Sequence, residues 1–386
     1  MKRFFLLSLL TISVFAKEEP NSVLSPLKNE IKELKIKSTE EKQKVNQYDW
    51  LSDIDLSLSQ NKDNENEKSK DYSLSLSQEV YNFGGISAKI DYANYLFKQE
   101  SLKIQMDNQD DLYLLYSNIV NLLINNLTIK QNILNSKNKE IEVNIKKSQY
   151  KNGESDISEL NDAIMSKNLL EDTKMELILE KVKYQNEIKK LTQYDVSDID
   201  FPKVSLLNKE EFLANSSQKR YTQIESKISQ TQYQKTKSSY LPSLKINGSA
   251  GYNNSDTTNN LDDYYKYGAS ISIPLSYTSS NDIQQSKLIF LKNKKEEDLT
   301  YIELENTYET SYETIKQYEK RINLALNDIK LYEELLQLNQ EEYNAGFKAI
   351  EDVDTLKNSK EIRLLDIEKY KLYIKKEILF LYFQIS

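Results

Sequence analysis

A chain of 386 residues with only seven glycines and five prolines can run helices far beyond ordinary length. It has no cysteine and no histidine, which excludes disulfides, thiol nucleophiles, Cys/His zinc sites and the usual near-neutral acid–base group. A net charge of −8 argues against nucleic acid and anionic lipid surfaces as partners, and no calcium-loop spacing or catalytic constellation occurs, so no enzyme, metal or cofactor is expected.

Lys2 and Arg3 precede an apolar run from Phe4 to Phe15, and Val14-Phe15-Ala16 suits a cleavage site. Residues 1–16 therefore read as a secretory signal peptide, with a cytosolic hydrophobic N-terminus as the alternative. No cysteine follows the run, so a lipid-anchored mature N-terminus is excluded. No other stretch approaches the roughly 18 apolar residues of a membrane helix, and no helical anchor is expected.

The first repeat spans 17–200. A charged helix over 27–47 gives way to period-two alternation, with Ile54, Leu56 and Leu58 against Asp55, Ser57 and Ser59. The alternation resumes with Tyr72, Leu74 and Leu76 against Ser73, Ser75 and Ser77. These are strands of about 52–60 and 72–80 with one apolar face, joined by the polar tip Asn61 to Lys68. A long helix of about 86–149 follows, roughly 95 Å at 1.5 Å per residue. It carries one apolar seam through Leu112, Leu115, Ile119 and Leu122 and another through Tyr116, Val120, Leu123 and Leu127. Two seams let it pack against neighbours on both sides, as in a tube of helices, although a helical bundle fits the seams too. A second helix covers about 157–192.

The second repeat, 201–386, runs the same course. After a helix of about 219–239 come strands of about 243–252 and 265–274, with a polar tip near Asn253 to Asp263. A long helix of about 282–342 and a helix of about 351–383 complete it. Stacked end to end, the two shorter helices of each repeat approach the length of its long helix. Each half can thus make one continuous helix beside a stacked pair, which puts both inter-helix turns at one end, opposite the strands. Those turns are Tyr150-Lys151-Asn152-Gly153 and Tyr343-Asn344-Ala345-Gly346. Each reads as a glycine-capped helix end followed by an acidic first turn.

A soluble hairpin explains any one of these strands. Two matched hairpins with serine-lined opposite faces, behind an export signal, favour transmembrane strands. Four strands cannot close a barrel, for which about eight are needed, and open edges cannot face lipid. Membrane insertion therefore requires oligomerisation, and three chains would supply twelve strands.

Taken together, the chain resembles the TolC family of outer-membrane channels. The resemblance is carried by Tyr-Lys-Asn-Gly-Glu-Ser-Asp-Ile-Ser-Glu-Leu at 150–160 and Tyr-Asn-Ala-Gly-Phe-Lys-Ala-Ile-Glu-Asp-Val at 343–353. Phe83-Gly84-Gly85, Tyr240-Leu241-Pro242 and Ile271-Ser272-Ile273-Pro274-Leu275 support it. It implies a mainly α fold with transmembrane β: a homotrimer with a twelve-stranded barrel on a periplasmic α-helical barrel. It also implies placement in outer-membrane lipid with extension into the periplasm. The implied partners are a periplasmic adapter and an inner-membrane transporter.

The same resemblance makes the turn end a gate. Tyr343 and Lys348 match positions that link to Ser158 and Glu159 in family channels, as Tyr343 to Glu159 and Lys348 to Ser158. Asp352 matches one of two acidic positions ringing the constriction. Thr355 occupies the other, with Asp354 beside it, so a double acidic ring is in doubt. Tyr150, Gly153 and Gly346 mark the hairpin tips expected to meet the adapter. Asp156 and Glu351 read instead as acids complementing helix N-termini. A second departure is the stretch Lys17 to Ser25, with Pro20 inside it, Pro26 directly after it and no amphipathic pattern, which makes the wall unequal between repeats.

The function implied is the exit duct of a tripartite efflux pump. The same duct serving type I protein secretion is an alternative, and a periplasmic coiled-coil adapter or structural protein is an alternative of another class. The alternating strands count against the last.

Overall fold

A computed structural model describes residues 23–62, 68–255 and 262–385. The leader expected over residues 1–16 and the centres of both strand tips lie outside the described residues. The chain divides into two compact units. One contains the chain up to Ile31, Asp111–Lys203 and Arg321–Tyr373; the other contains Lys32–Asp110, Val204–Lys320 and Ile374 onward.

Helix α1 spans Pro26–Tyr48. Ser25 Oγ accepts from Lys28 N at 3.4 Å, and Pro26 stands where its missing N–H costs nothing. Strands β1 (Ile54–Lys62) and β2 (Lys68–Tyr81) follow. Phe83 and Gly84 then take positive φ to turn the chain, and Asn82 Oδ1 accepts from Ile86 N at 2.8 Å to start α2 (Gly85–Lys151). Helix α3 (Ile157–Leu191) ends the first repeat.

In the second repeat, a short α4 (Lys209–Asn215) precedes α5 (Ser217–Ser238). The break falls at Ser216, which is fully buried and bridges to Ile385. The sequence pattern shows only the second of these two helices. A counterpart of α4 ahead of α1 would fall outside the described residues. Strands β3 (Ser243–Ser255) and β4 (Asp262–Ser272) lead to α6 (Ser279–Asn344) and α7 (Ile350–Phe383).

The four strands form one antiparallel sheet in the order β1-β2-β3-β4. Its centre joins β2 to β3, strands separated in sequence by the four helices α2 to α5. Register places Leu56, Leu74, Ala250 and Tyr265 in one cross-strand row, and Ile54, Leu76, Gly248 and Tyr267 in another. The opposite face carries Ser57, Ser73 and Gly251, then Asp55, Ser75, Ser249 and Lys266. Alternation thus gives one apolar and one serine-rich face. The apolar face is bare: Leu56 is 69% exposed and Tyr267 87%.

In the sheet-bearing unit, Phe212, Leu213, Leu304, Tyr308 and Leu381 form a buried cluster, and the Tyr308 hydroxyl donates to Leu207 O at 2.8 Å. Lys35 pairs with Asp107 at 2.9 Å, and Lys42 pairs with Glu100, linking α1 to α2. In the other unit, Leu115, Tyr116, Ile119 and Val120 of α2 are buried, with Tyr116 against the Phe201 ring. Helix α2 is long and apolar enough in one window to pass as a membrane span, which the sequence reading did not expect. Half of that window is buried within the chain, as for a packed core helix.

Candidate functional site

The two inter-helix turns close in the same way. After α2, Gly153 N donates to Tyr150 O at 3.1 Å and Glu154 N to Gln149 O at 2.8 Å. After α6, Gly346 N donates to Tyr343 O at 2.9 Å and Phe347 N to Glu342 O at 2.9 Å. Both are Schellman motifs, in which a left-handed residue returns the last helical carbonyls to hydrogen bonding. Gly153 has φ 75° and Gly346 φ 81°, a conformation that costs any L-residue side chain about 1–2 kcal/mol.

Beyond the backbone the turns differ. Asp156 caps α3, its Oδ1 accepting from Glu159 N at 3.0 Å. Its equivalent before α7 is Ala349, whose methyl group cannot accept a capping hydrogen bond. Glu159 accepts from Lys146 Nζ on α2 and from Ser155 Oγ at 2.9 Å. The Lys146 bond, followed by that from Ser155, holds the Glu159 pKa below the usual carboxylate value. Asp352 is the equivalent of Glu159. Its neighbours matching Lys146 and Ser155 are Asn339 and Lys348, and among the described residues it forms no ion pair.

Lys348 and Asp352 border an open groove of about 920 Å³ together with Thr355, Leu335 of α6, Leu169 of α3 and Glu142 of α2. Lys139 lines the same groove and pairs with Glu142 at 2.6 Å. The structure thus brings Lys348 and Asp352 to one wall with Lys139 and Glu142. Within the single chain it hydrogen-bonds neither Lys348 to Ser158 nor Tyr343 to Glu159. Ser158 and Tyr343 are exposed, and Asp354 pairs with Lys357 at 3.4 Å on its own helix. Tyr150, Gly153 and Gly346 are exposed at the turns, as is Phe347, 83% open to solvent. Val353, just inside α7, is fully buried and anchors that end.

Behind the turns, polar ties join the helices. Ser136 Oγ donates to Glu171 at 2.8 Å, and Asn125 Nδ2 to Glu180 at 3.2 Å, linking α2 to α3. Gln131 accepts from Lys369 Nζ at 2.7 Å and donates to Asp366 Oδ1 at 2.7 Å, linking α2 to α7. Arg363 reaches Asp328 at 3.1 Å and Lys360 reaches Glu333 at 2.8 Å, linking α7 to α6. Burial pushes the Lys369 pKa down, so its one good acceptor matters. Among the described residues no cluster of acids suited to a metal ion occurs.

Sequence reading missed Lys146, Ser155 and Phe347. Only Lys146 left a signal: a cation in the last turns of α2, where it complements the helix dipole and faces an acid across the hairpin.

Two hairpins of long helices and a four-stranded sheet with one apolar face make up the described fold. Residues 210–359 match the family model described as outer membrane efflux protein. That match covers under half of the chain; over most of its length the chain shares the fold of solved outer-membrane channels. The outer membrane protein VceC from Vibrio cholerae is similar over 92% of each chain, at 13% identity and a TM-score of 0.71. The Campylobacter jejuni CmeC outer membrane channel is similar over 92% of this chain and 84% of its own, at 15% identity and a TM-score of 0.65. The open-state Neisseria gonorrhoeae MtrE outer membrane channel is similar over 92% and 85%, at 12% identity and a TM-score of 0.62. No curated protein sequence matches the chain.

Proposed function

We propose that this protein is the outer-membrane exit duct of a tripartite efflux pump, exported by the leader at residues 1–16 and working as a homotrimer. The sheets of three chains close one twelve-stranded barrel in outer-membrane lipid, and the helices extend into the periplasm. A periplasmic adapter docks at the turn end, and an inner-membrane transporter supplies the energy.

The observation that carries this reading is the sheet. Its apolar face is exposed, with Ile54, Leu58, Tyr265 and Ile271 all solvent-facing, and both β1 and β4 have a free edge. A bare edge is untenable in lipid and a bare apolar face is costly in water. Closure of β4 onto β1 of the next chain answers both.

At the turn end, Asp352 from three chains rings the pore, and Tyr343–Glu159 and Lys348–Ser158 are contacts of the closed trimer. Opening moves the second turn, whose acid is unpaired, more readily than the first, where Lys146 and Ser155 hold Glu159. Exposed Phe347 offers the adapter an apolar anchor beside Tyr150, Gly153 and Gly346.

The chain has no cysteine, so crosslinking starts from zero background. Ser57→Cys in β1 with Ser270→Cys in β4 is the pair to make. Within a chain, β2 and β3 lie between them and Ser57 aligns with Tyr264, six residues from Ser270, so the pair is roughly 24 Å apart, too far for a disulfide. Oxidation in membranes should give covalent trimers. Recovery as a soluble periplasmic monomer without crosslinks would sink the duct.

A further inference from the structure

A second cavity, of about 460 Å³, lies where the roots of β2 and β3 meet α2 and α5. Lys89 of α2, Lys235 of α5 and Lys245 of β3 all line it. Each is half-buried, whereas lysine ammonium groups ordinarily sit in water. Among the described residues none of the three forms an ion pair, unlike Lys35, Lys42 and Lys209 in the same unit. The Lys235 ammonium sits over the Tyr92 ring, 4.2 Å from its centroid.

Two carboxylates are near. Glu79 lines the cavity but accepts a hydrogen bond from Asn82. Asp49 favours the charged form of Lys235, yet burial and the neighbouring Lys89 charge together push its pKa down. The end of α5 favours a cation at Lys235, as any helix C-terminus does, but says nothing about Lys89 or Lys245. Three cations are thus gathered in a partly dry pocket of a chain whose net charge is −8. Like charges so placed raise each other's energy, and an entering anion relieves it.

Register decides which side of the sheet the cavity opens on. Lys245 is the cross-strand neighbour of Glu79 and Ser270, and Ser243 of Ser272, all on the face opposite Leu244, Ile246 and Ile271. The pocket therefore belongs to the serine-lined face, reached from water rather than from acyl chains. Ser243 and Ser272 also line it, offering hydroxyl donors.

We propose that this cavity binds small phosphate-type oxyanions on the pore side of the barrel root; the pore-side placement rests on the duct reading. Three chains would set three such stations around the channel, favouring anionic solutes at the sheet end while Asp352 favours cations at the turn end.

The test is isothermal titration of the detergent-solubilised full chain with inorganic phosphate, alongside phosphate block in planar bilayers. The triple variant Lys89→Gln, Lys235→Gln, Lys245→Gln should weaken phosphate binding and block by about tenfold or more. The corresponding Lys→Arg variant should retain both. Unchanged binding in the Gln variant, or no phosphate binding by the wild type, overturns the site even if channels form. Binding without any channel leaves the site standing and removes the duct. Binding of a short-chain phosphatidylglycerol but not of inorganic phosphate would assign the pocket to lipid and overturn the proposal.

Discussion

The two turns share a backbone and differ in what holds their acids. Gly153 and Gly346 make the same paired Schellman bonds, and a Cβ added at either would meet nothing within 4 Å. The motif itself is therefore common property of both repeats. Around it, the first turn is closed by Asp156 and by the Lys146–Glu159–Ser155 set, while the second has Ala349 for a cap and an acid without a cation. A restrained turn and an unrestrained one, built on the same backbone, suit a fixed half and a moving half.

The largest expected effect separates the two equivalent acids. Three unpaired carboxylates in a constriction attract cations, whereas a carboxylate already bound to lysine contributes little field. Asp352→Asn should raise the concentration of divalent cation that blocks bilayer current by about tenfold. Glu159→Gln should leave it nearly unchanged. Equal responses would break the comparison, and an unchanged response to Asp352→Asn would remove that residue from the pore.

A smaller effect concerns the caps. Asp156→Ala removes a side-chain acceptor from the start of α3 and should cost about 1 kcal/mol. Ala349→Asp supplies one at the start of α7 and should stabilise by about 0.5–1 kcal/mol, read as thermal unfolding of the full chain. If the second turn is the moving part, Ala349→Asp should also reduce channel opening. A stabilised chain with unchanged opening would confine the asymmetry to stability.

Much of this architecture was legible because its signals are local. Alternation at Ile54–Ser59 and Tyr72–Ser77 needs no partner to be read, and it appears as β1 and β2. Glycine at 153 and 346 marks a left-handed residue whatever surrounds it. What escaped depends on distant chain. The break between α4 and α5 comes from Ser216 pairing with Ile385, at the far end of the sequence. Lys146 is one of many lysines on α2, and only the hairpin register aims it at Glu159. The lysines at the root of the sheet come from α2, α5 and β3, elements far apart in sequence that only the fold brings together. The apolar window of α2 looked ordinary among polar neighbours, and half of it is buried within the chain.

The smallest effect is a pH dependence at the first turn. Lysine and serine bonds depress the Glu159 pKa below its unfolded value of about 4.3. Folding then gains from this group above the unfolded pKa, and the gain disappears as pH falls through the folded one. The exposed setting keeps the gain small. Wild type should therefore unfold at a slightly higher temperature than Glu159→Gln at pH 7 and at pH 5, with the gap closing below about pH 4. A gap that widened on acidification would mean that protonation strengthens the first turn, and the contrast between held and free acids would fail at its better-defined half.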